Sequence, residues 1–266
     1  MKIAAKDLEV CYGENLILKG ISLAPREGSL LGVIGPNGSG KTTLLKTLSN
    51  ILKPRSGVVY LNGSEIGSLT SRETARNLAV VPQDTGVGFD FTAYELVLMG
   101  RTPHIGRFEK ESRTDRNIAA DAMRLTHTED LKDRLVTTLS GGERQKVVIA
   151  KALSQEPNVL LLDEPTANLD IKNQLEVMGL IKNAVIGRGI TAIMAIHDIN
   201  LAARYCDEMM LLRLGEIYAS GPPKAVLTKE NIKAVFGVES LVTDGPEDGS
   251  VYVIPLSTLE KEEQTS

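Results

Sequence analysis

The chain has 266 residues, close to the upper size for a protein built around one hydrophobic core. Its formal net charge of −4 gives no support to a basic nucleic-acid-binding surface, and its apolar stretches are too short for a membrane-spanning helix. The N-terminus lacks the pattern of a signal peptide, and the two cysteines, Cys11 and Cys206, are far apart in sequence. We therefore expect a globular protein with free thiols in a reducing compartment.

Residues 1 to about 84 have the pattern of several strands, a glycine-rich loop and the first half of an α/β core. Tyr12 follows a strand-like segment and is a candidate for stacking on an adenine ring. The apolar run 30–34 predicts a buried strand, and the residues after the loop have the apolar spacing of a helix. Between them the pattern G-x-x-x-x-G-K-[ST] is matched by Gly35, Pro36, Asn37, Gly38, Ser39, Gly40, Lys41 and Thr42, with Thr43 next in the chain.

A loop between a strand and a helix N-terminus is suited to binding phosphate. Glycines allow several backbone N–H groups to converge on one anion, and the helix N-terminus adds partial positive charge. Lys41 can reach the β- and γ-phosphates of a nucleoside triphosphate, and the Thr42 hydroxyl can ligate Mg²⁺. The loop therefore predicts nucleotide binding, although kinases, GTPases, helicases and transport ATPases all share it.

Three later strand-like segments end in polar residues that suit hydrolysis of this nucleotide. Gln83 follows the first segment, and its amide could touch both Mg²⁺ and an attacking water. The second segment ends in Asp163, a candidate Mg²⁺ ligand, followed by Glu164, which is placed to polarise the water. His197 follows the third segment and is a candidate γ-phosphate sensor. An acid directly after the Mg²⁺ aspartate indicates hydrolysis rather than binding alone.

The remaining segments organise the chain around these residues. Residues about 85 to 155 are predicted to be mainly helical after a glycine-rich start. Residues about 156 to 225 return to strands and helices, with a predicted hairpin over 209–220. A short extension follows over about 226 to 254, and the polar end from 259 to 266 is expected to fray.

The most specific signal is the segment LSGGE, which is Leu139 followed by Ser140, Gly141, Gly142 and Glu143. Together with the phosphate-binding loop, it resembles the ATP-binding subunit of ABC transporters. The resemblance covers residues 3 to about 240. It assigns the adenine-stacking position to Tyr12, Walker A to 35–43, the Q-loop to Gln83, the signature to 139–143, Walker B to 159–163, the catalytic glutamate to Glu164, the D-loop to 167–170 and the switch histidine to His197. Asn168 departs from the alanine or glycine that is usual in the D-loop.

The resemblance implies the α/β fold of a P-loop NTPase of the ABC ATPase type. That fold has a RecA-like, mainly parallel sheet, an N-terminal antiparallel β subdomain and an inserted helical signature subdomain. It also implies an ATP-binding domain over 1–240 and a C-terminal extension with a polar tail over 241–266.

The same resemblance implies ATP and Mg²⁺ as cofactors. Catalysis would fall to Gln83, Glu164 and His197, and Mg²⁺ to Thr42, Gln83 and Asp163. Residues 140–143 would bind the ATP held by a second copy, because the family closes two subunits head-to-tail over two ATP molecules. The implied partners are therefore a second copy, two transmembrane permease subunits and, indirectly, a substrate-binding protein, at the cytoplasmic face of the membrane. No nucleic-acid partner is expected.

Residues 95–104, with the sequence ELVLMGRTPH, are similar to importers of iron–siderophore, haem and cobalamin. An alternative is that this stretch only packs a helix and its exit turn, with Arg101 and Arg107 as solvated charges. Cobalamin and ferric siderophore are competing cargoes, followed by haem, molybdate and other metal chelates. The alternatives from other classes are a non-transport ABC ATPase and an ABC exporter or lipid-transport ATPase.

Overall fold

The computed structural model describes residues 1–83, 90–245 and 250–259. Its strands are β1 (Ile3–Tyr12), β2 (Asn15–Leu23), β3 (Leu30–Ile34), β4 (Ser56–Leu61), β5 (Ser64–Glu65), β6 (Leu78–Val81), β7 (Val159–Asp163), β8 (Thr191–Ala195), β9 (Glu208–Arg213), β10 (Glu216–Gly221), β11 (Val238–Asp244) and β12 (Val251–Thr258). Its helices are α1 (Lys41–Leu48), α2 (Ser71–Asn77), α3 (Ala93–Leu98), α4 (Arg113–Leu125), α5 (Gly141–Ser154), α6 (Ile171–Arg188), α7 (Ile199–Tyr205), α8 (Pro223–Val226) and α9 (Lys229–Phe236). The glycine-rich start predicted for the helical region and most of the polar C-terminal end lie outside the described residues.

The central sheet has the strand order β10-β9-β3-β8-β7-β6. Its strands are parallel except for β10, which pairs with β9 in the antiparallel sense and forms the predicted hairpin. Every residue of β3, β7 and β8 is buried, as expected for apolar strands covered on both faces. The carboxyl ends of β3, β6, β7 and β8 lie at one edge, where open α/β sheets bind ligands.

Two hydrophobic clusters occupy the two faces of this sheet. Successive residues of a strand point to opposite faces, so Leu161 packs in one cluster while Leu160 and Leu162 pack in the other. The cluster of Leu161 includes α1 and the inner face of an antiparallel sheet with the order β2-β1-β4-β5. The opposite cluster contains the helices of the inserted region. The predicted combination of a mainly parallel sheet, an N-terminal antiparallel sheet and inserted helices is confirmed.

The inserted region contains α3, α4 and α5, which pack against one another. Each begins with a capping box, in which an N-cap hydroxyl and a carboxylate three residues later exchange hydrogen bonds with the backbone; the pairs are Thr92 with Glu95, Ser112 with Asp115, and Ser140 with Glu143. The alternative of a solvated Arg101 is wrong, because this residue is only 4% exposed and donates to Asp115, Ser154 and Glu156. Arg107 is exposed and lies over the Phe108 ring.

The C-terminal extension folds onto the same core. The strands β11 and β12 pair antiparallel, and Val251 and Val253 of β12 belong to the cluster that contains the inserted helices. The expected boundary at residue 240 therefore falls inside β11. Both cysteines are free thiols, and burial raises the pKa of Cys206 to about 12. Within the described ranges, no helix is long and apolar enough to cross a membrane.

Candidate active site

The glycine-rich loop passes from β3 to α1 in a backbone conformation that requires its glycines. Gly38 and Gly40 have φ angles of +78° and +106°, in the left-handed region that residues with a Cβ rarely adopt. A Cβ on Gly35 would lie 2.2 Å from the backbone oxygen of Leu212 and 2.6 Å from Ser39 Oγ. A larger residue at position 35 would therefore push the loop away from the sheet.

Lys41 and Ser39 direct polar groups into this loop. Lys41 is only 5% exposed, and its Nζ donates to the backbone oxygens of Gly35 (2.8 Å) and Pro36 (3.2 Å). Burial lowers the pKa of the Lys41 ammonium, an effect that nearby carboxylates partly oppose. The Ser39 hydroxyl oxygen is buried and has no hydrogen-bond partner among the residues that the structure describes. A buried cation beside an unpaired hydroxyl fits the phosphate oxygens of a nucleotide, since buried polar groups require partners.

A cavity of about 400 Å³ opens above the loop. It is lined by Tyr12, Ile17, Asn37, Gly38, Gly40, Lys41, Thr42, Thr43 and Glu164. Tyr12 ends β1 and is 48% exposed, so one face of its ring is free for stacking on a base. Ile17, on β2, was not predicted; an apolar strand residue carries no sequence signal that distinguishes a cavity wall from ordinary packing.

Thr42 and Asp163 meet at the end of the cavity near the sheet. The Thr42 hydroxyl donates to Asp163 Oδ1 over 3.1 Å. Burial raises the pKa of the Asp163 carboxyl, while the Thr42 hydrogen bond and nearby lysines act in the opposite direction. A hydroxyl and a carboxylate oxygen are hard donors of the kind that Mg²⁺ prefers, and one or two such ligands beside phosphates are typical of its sites. These two residues therefore fit the predicted metal position.

Glu164 brings the three predicted catalytic residues together. Its Oε2 accepts a hydrogen bond of 2.7 Å from Gln83 Nε2, and its Oε1 lies 2.5 Å from His197 Nε2. The backbone of Glu164 has a φ angle of +51°, and its N–H donates to the Ala195 oxygen on β8. A non-glycine residue in the left-handed region is strained and is held there by its surroundings. The turn after β7 thus directs Glu164 toward the loop while Asp163 remains on the strand.

The LSGGE segment lies elsewhere in the described structure, since the cavity above the loop has no signature residue in its lining. Ser140 is the N-cap of α5, and its N–H donates to Glu143 Oε2 over 2.8 Å. Glu143 also accepts from Arg134 over 3.1 Å, and its hydrogen bonds with Ser140 lower the pKa of its carboxyl. The Glu143 side chain therefore holds the helix start in place, leaving Ser140 and Gly141 exposed at the surface, whereas Gly142 is buried.

The two signature glycines have different surroundings. A Cβ on Gly141 would lie 3.7 Å from Leu169 Cδ2, which is ordinary contact, whereas a Cβ on Gly142 would lie 2.3 Å from Asn173 Oδ1. Asn173 is itself held by Asp170, the N-cap of α6. The signature helix therefore packs on the predicted D-loop segment, where Asn168 adopts a φ angle of +59° that asparagine tolerates.

Comparison with protein families identifies one match, the family described as ABC transporter, over residues 18–167. Among curated proteins, the chain is 40% identical to the cobalamin import ATP-binding protein BtuD of Halobacterium salinarum; the match covers 96% of this chain but 64% of that protein. It is 37% identical to the ferric enterobactin transport ATP-binding protein FepC of Escherichia coli, covering 96% of this chain and 94% of that one.

Solved structures show the same similarity. One is a transporter described as of the metal-chelate type in an inward-facing conformation, with a TM-score of 0.84, 29% identity, and coverage of 96% of this chain and 97% of that chain. Another is a dimeric bacterial ABC transporter cassette, with a TM-score of 0.73, 30% identity, and coverage of 83% and 98%.

Proposed function

Because the chain belongs to the ABC transporter family, we propose that it is the ATP-hydrolysing subunit that powers import of a metal chelate through a membrane permease. ATP-binding subunits of this family couple ATP hydrolysis to transport. The observation that carries the proposal is the convergence of Gln83 and His197 on Glu164, beside the cavity that contains Lys41 and Thr42. Cobalamin and a ferric siderophore are the cargoes favoured by the stretch 95–104 and by the names of the relatives.

Different residues in and beside the cavity bind the nucleotide and act in its hydrolysis. The loop N–H groups and the Lys41 ammonium bind the phosphates, and Tyr12 stacks on the base. Glu164 accepts the proton of the attacking water, and His197 contacts the γ-phosphate and orients Glu164 through their short contact. When bound at Thr42 and Asp163, Mg²⁺ neutralises the negative charge that develops on the phosphates.

The signature implies that the active unit is a dimer. Ser140, Gly141 and Gly142 form a helix N-terminus of small residues, of which Ser140 and Gly141 are exposed. Such a helix start is suited to an anion, yet these residues do not line the cavity of their own chain. We propose that they contact the ATP bound by a second copy, so that two chains close head-to-tail over two ATP molecules. The dimeric cassette among the similar structures supports this arrangement.

A groove in the inserted region is the proposed docking site for the permease. It has a volume of about 600 Å³ and is lined by Phe91, Glu95, Leu98, Met99, Thr102, Ile105, Gly106, Arg107, Glu109, Lys110 and Glu111. Residues of the stretch 95–104 thus form both the groove wall and its internal support. Two permease subunits, one for each copy, would hold the dimer at the cytoplasmic face of the membrane, and a substrate-binding protein would act through them.

The test combines one variant with one transport assay. The variant Glu164→Gln keeps the size and hydrogen bonding of the side chain but removes the base, so it should dimerise with ATP and lose turnover. Normal hydrolysis by this variant would refute the role of Glu164.

For transport, the native chain is reconstituted in vesicles with a candidate permease and its binding protein, and uptake of labelled cobalamin is compared with that of a ferric hydroxamate chelate. ATP-dependent uptake of either one supports import. Co-purification with DNA or ribosomes, without any membrane protein, would favour a non-transport ABC ATPase.

A further inference from the structure

The segment after β8 carries His197 between two fixed points. Before it, the Ile196 N–H donates to the Val33 oxygen on β3, which ties the segment to the central sheet. After it, Asp198 is the N-cap of α7, and its Oδ1 accepts from the N–H groups of Asn200 and Leu201, each over 2.9 Å. The backbone on both sides of His197 is therefore held by hydrogen bonds, and the position of its ring depends on where α7 lies.

Asn200 connects α7 to the C-terminal hairpin formed by β11 and β12. Its Nδ2 donates to the Val253 oxygen over 3.1 Å, and its Oδ1 accepts from the Val253 N–H over 2.9 Å. The side-chain amide thus makes the two hydrogen bonds that a neighbouring strand would make with Val253. Because its own N–H bonds to the N-cap Asp198, Asn200 connects the hairpin to the start of the helix beside His197.

The hairpin is itself anchored to the rest of the protein. Val253 is 2% exposed, and it shares a hydrophobic cluster with Ile196, Ala202 and Ala203 from the segment around His197. On the other side, β11 packs against α9, and Glu239 of β11 pairs with Lys233 of α9 over 2.5 Å. A shift of the hairpin would therefore be transmitted to α7 through a hydrogen-bonded and a hydrophobic contact.

We propose that Asn200 is a positioning residue for ATP hydrolysis, which holds the His197 imidazole against Glu164 by fixing α7 to the C-terminal hairpin. The 2.5 Å contact between His197 Nε2 and Glu164 Oε1 requires the ring to be placed closely, while the His197 side chain is about half exposed. The hairpin of β11 and β12 thereby supports a catalytic side chain without contributing a catalytic residue of its own. This inference rests on the catalytic role proposed above for His197.

The test compares Asn200→Ala with the matched control Asn231→Ala. Asn231 is likewise an asparagine in the first turns of a helix whose Nδ2 donates to a backbone oxygen, that of Val226 over 2.8 Å, but it lies in α9 and not beside His197. Loss of a group that orients a reacting side chain typically costs tenfold or more, so Asn200→Ala should lower kcat about tenfold with KM for ATP unchanged. Asn231→Ala should keep the native kcat.

A spectroscopic signal separates positioning from general destabilisation. The chain has 3 histidines, so the imidazole NMR signals of ¹⁵N-labelled protein can be assigned with a His197→Gln variant. The His197 signals should move in Asn200→Ala and stay in place in Asn231→Ala. Asn200→Asp keeps the acceptor for the Val253 N–H, so its kcat should lie between those of the native protein and of Asn200→Ala. If the alanine variant does not fold, Asn200→Asp is compared with the native protein instead.

Two results would overturn the inference: a kcat for both Asn200 variants equal to that of Asn231→Ala, or a fall in kcat with unmoved His197 signals. The proposed function is tested separately by His197→Ala. If His197→Ala loses turnover while the Asn200 variants do not, only the positioning role fails. If His197→Ala keeps native turnover, the catalytic role of His197 fails and the inference falls with it.

Discussion

Replacing Arg101 by alanine is expected to destabilise the fold by about 3–5 kcal/mol, the cost of removing one partner from a buried ion pair. The Arg101 side chain is 5% exposed, and its Nε donates to Asp115 Oδ1 over 3.0 Å. Its Nη1 donates to the Ser154 oxygen (2.7 Å) and to Glu156 Oε2 (2.8 Å). The substitution would remove the Arg101 donor from the buried Ser154 carbonyl and from the Asp115 carboxylate, which would keep its hydrogen bonds from Ser112, between the ends of α4 and α5.

The loss of stability in Arg101→Ala can be assigned to individual partners of Arg101, because these partners differ in solvent exposure. Glu156 is half exposed, so Glu156→Ala should cost less than about 1 kcal/mol, as for surface pairs. Arg107 is exposed, and Arg107→Ala should change stability by no more than about 0.5 kcal/mol. Most of the effect of Arg101→Ala must then come from Asp115 and Ser154.

The assay is urea unfolding of the native protein and the three variants, followed by circular dichroism at constant pH and salt. A lower midpoint with an unchanged slope would report a loss of stability alone. If Arg101→Ala lies within about 1 kcal/mol of the native protein, this reasoning about a buried pair is wrong. The outcome bears on the stretch 95–104, since a strong effect shows that Arg101 supports the groove from inside.

Three further predictions concern the site and its support. Lys41→Ala should weaken ATP binding by about 1.5–3 kcal/mol, the value of a hydrogen bond to a charged group, as measured by titration calorimetry. Gly141→Asp should keep ATP binding by the monomer and the melting temperature, because the space beside Gly141 admits a Cβ, but it should lose ATPase activity. Intact ATPase activity in this variant would refute the dimer model. Gly142→Ala should also lower the melting temperature, because a Cβ there would meet Asn173. The hydrogen bonds from Ser112, followed by that from Arg101, lower the pKa of Asp115 from 3.8 to about 2. The ionised Asp115 therefore stabilises the fold fully above pH 3.8, and this stabilisation is lost as the pH falls through about 2. In the variant Asp115→Asn, the urea midpoint should fall less steeply over this pH range.

Residues at the ends of apolar runs were predicted from the sequence because local signals suffice for them. The runs before Gly35, Gln83, Asp163 and His197 are almost entirely apolar, which is typical of strands in a parallel sheet that is covered on both faces. Parallel strands place their carboxyl ends at one edge, so the four segments had to meet once they joined the same sheet. That Gln83 and His197 lie near Glu164 could therefore be predicted from the sequence, whereas the distances between their side chains could not.

Other features depend on contacts between distant residues and carry no local signal. Strand β12 pairs with β11, and no local pattern in the sequence identifies this pairing, so the hairpin was predicted only as a short extension. Arg101 was open to interpretation as a solvated charge because arginine is rarely buried, and its partners Ser154 and Glu156 lie more than fifty residues away. The hydrogen bonds between Asn200 and Val253 likewise join residues 53 positions apart, so no local pattern in the sequence predicts them.

The capping boxes of the inserted region show which part of the signature is specific. Because three helices begin with the same arrangement, a hydroxyl and a carboxylate three residues apart do not distinguish α5 from α3 or α4. What differs is the first turn, where α5 has Gly141 and Gly142 and the other helices have side chains at the same positions. Because glycine has no side chain, an anion can approach the N–H groups at the start of α5 more closely than those of the other two helices. We infer that Glu143 contributes to nucleotide binding through the backbone of Ser140, so Glu143→Gln, which preserves the capping geometry, should retain far more ATPase activity than Gly141→Asp.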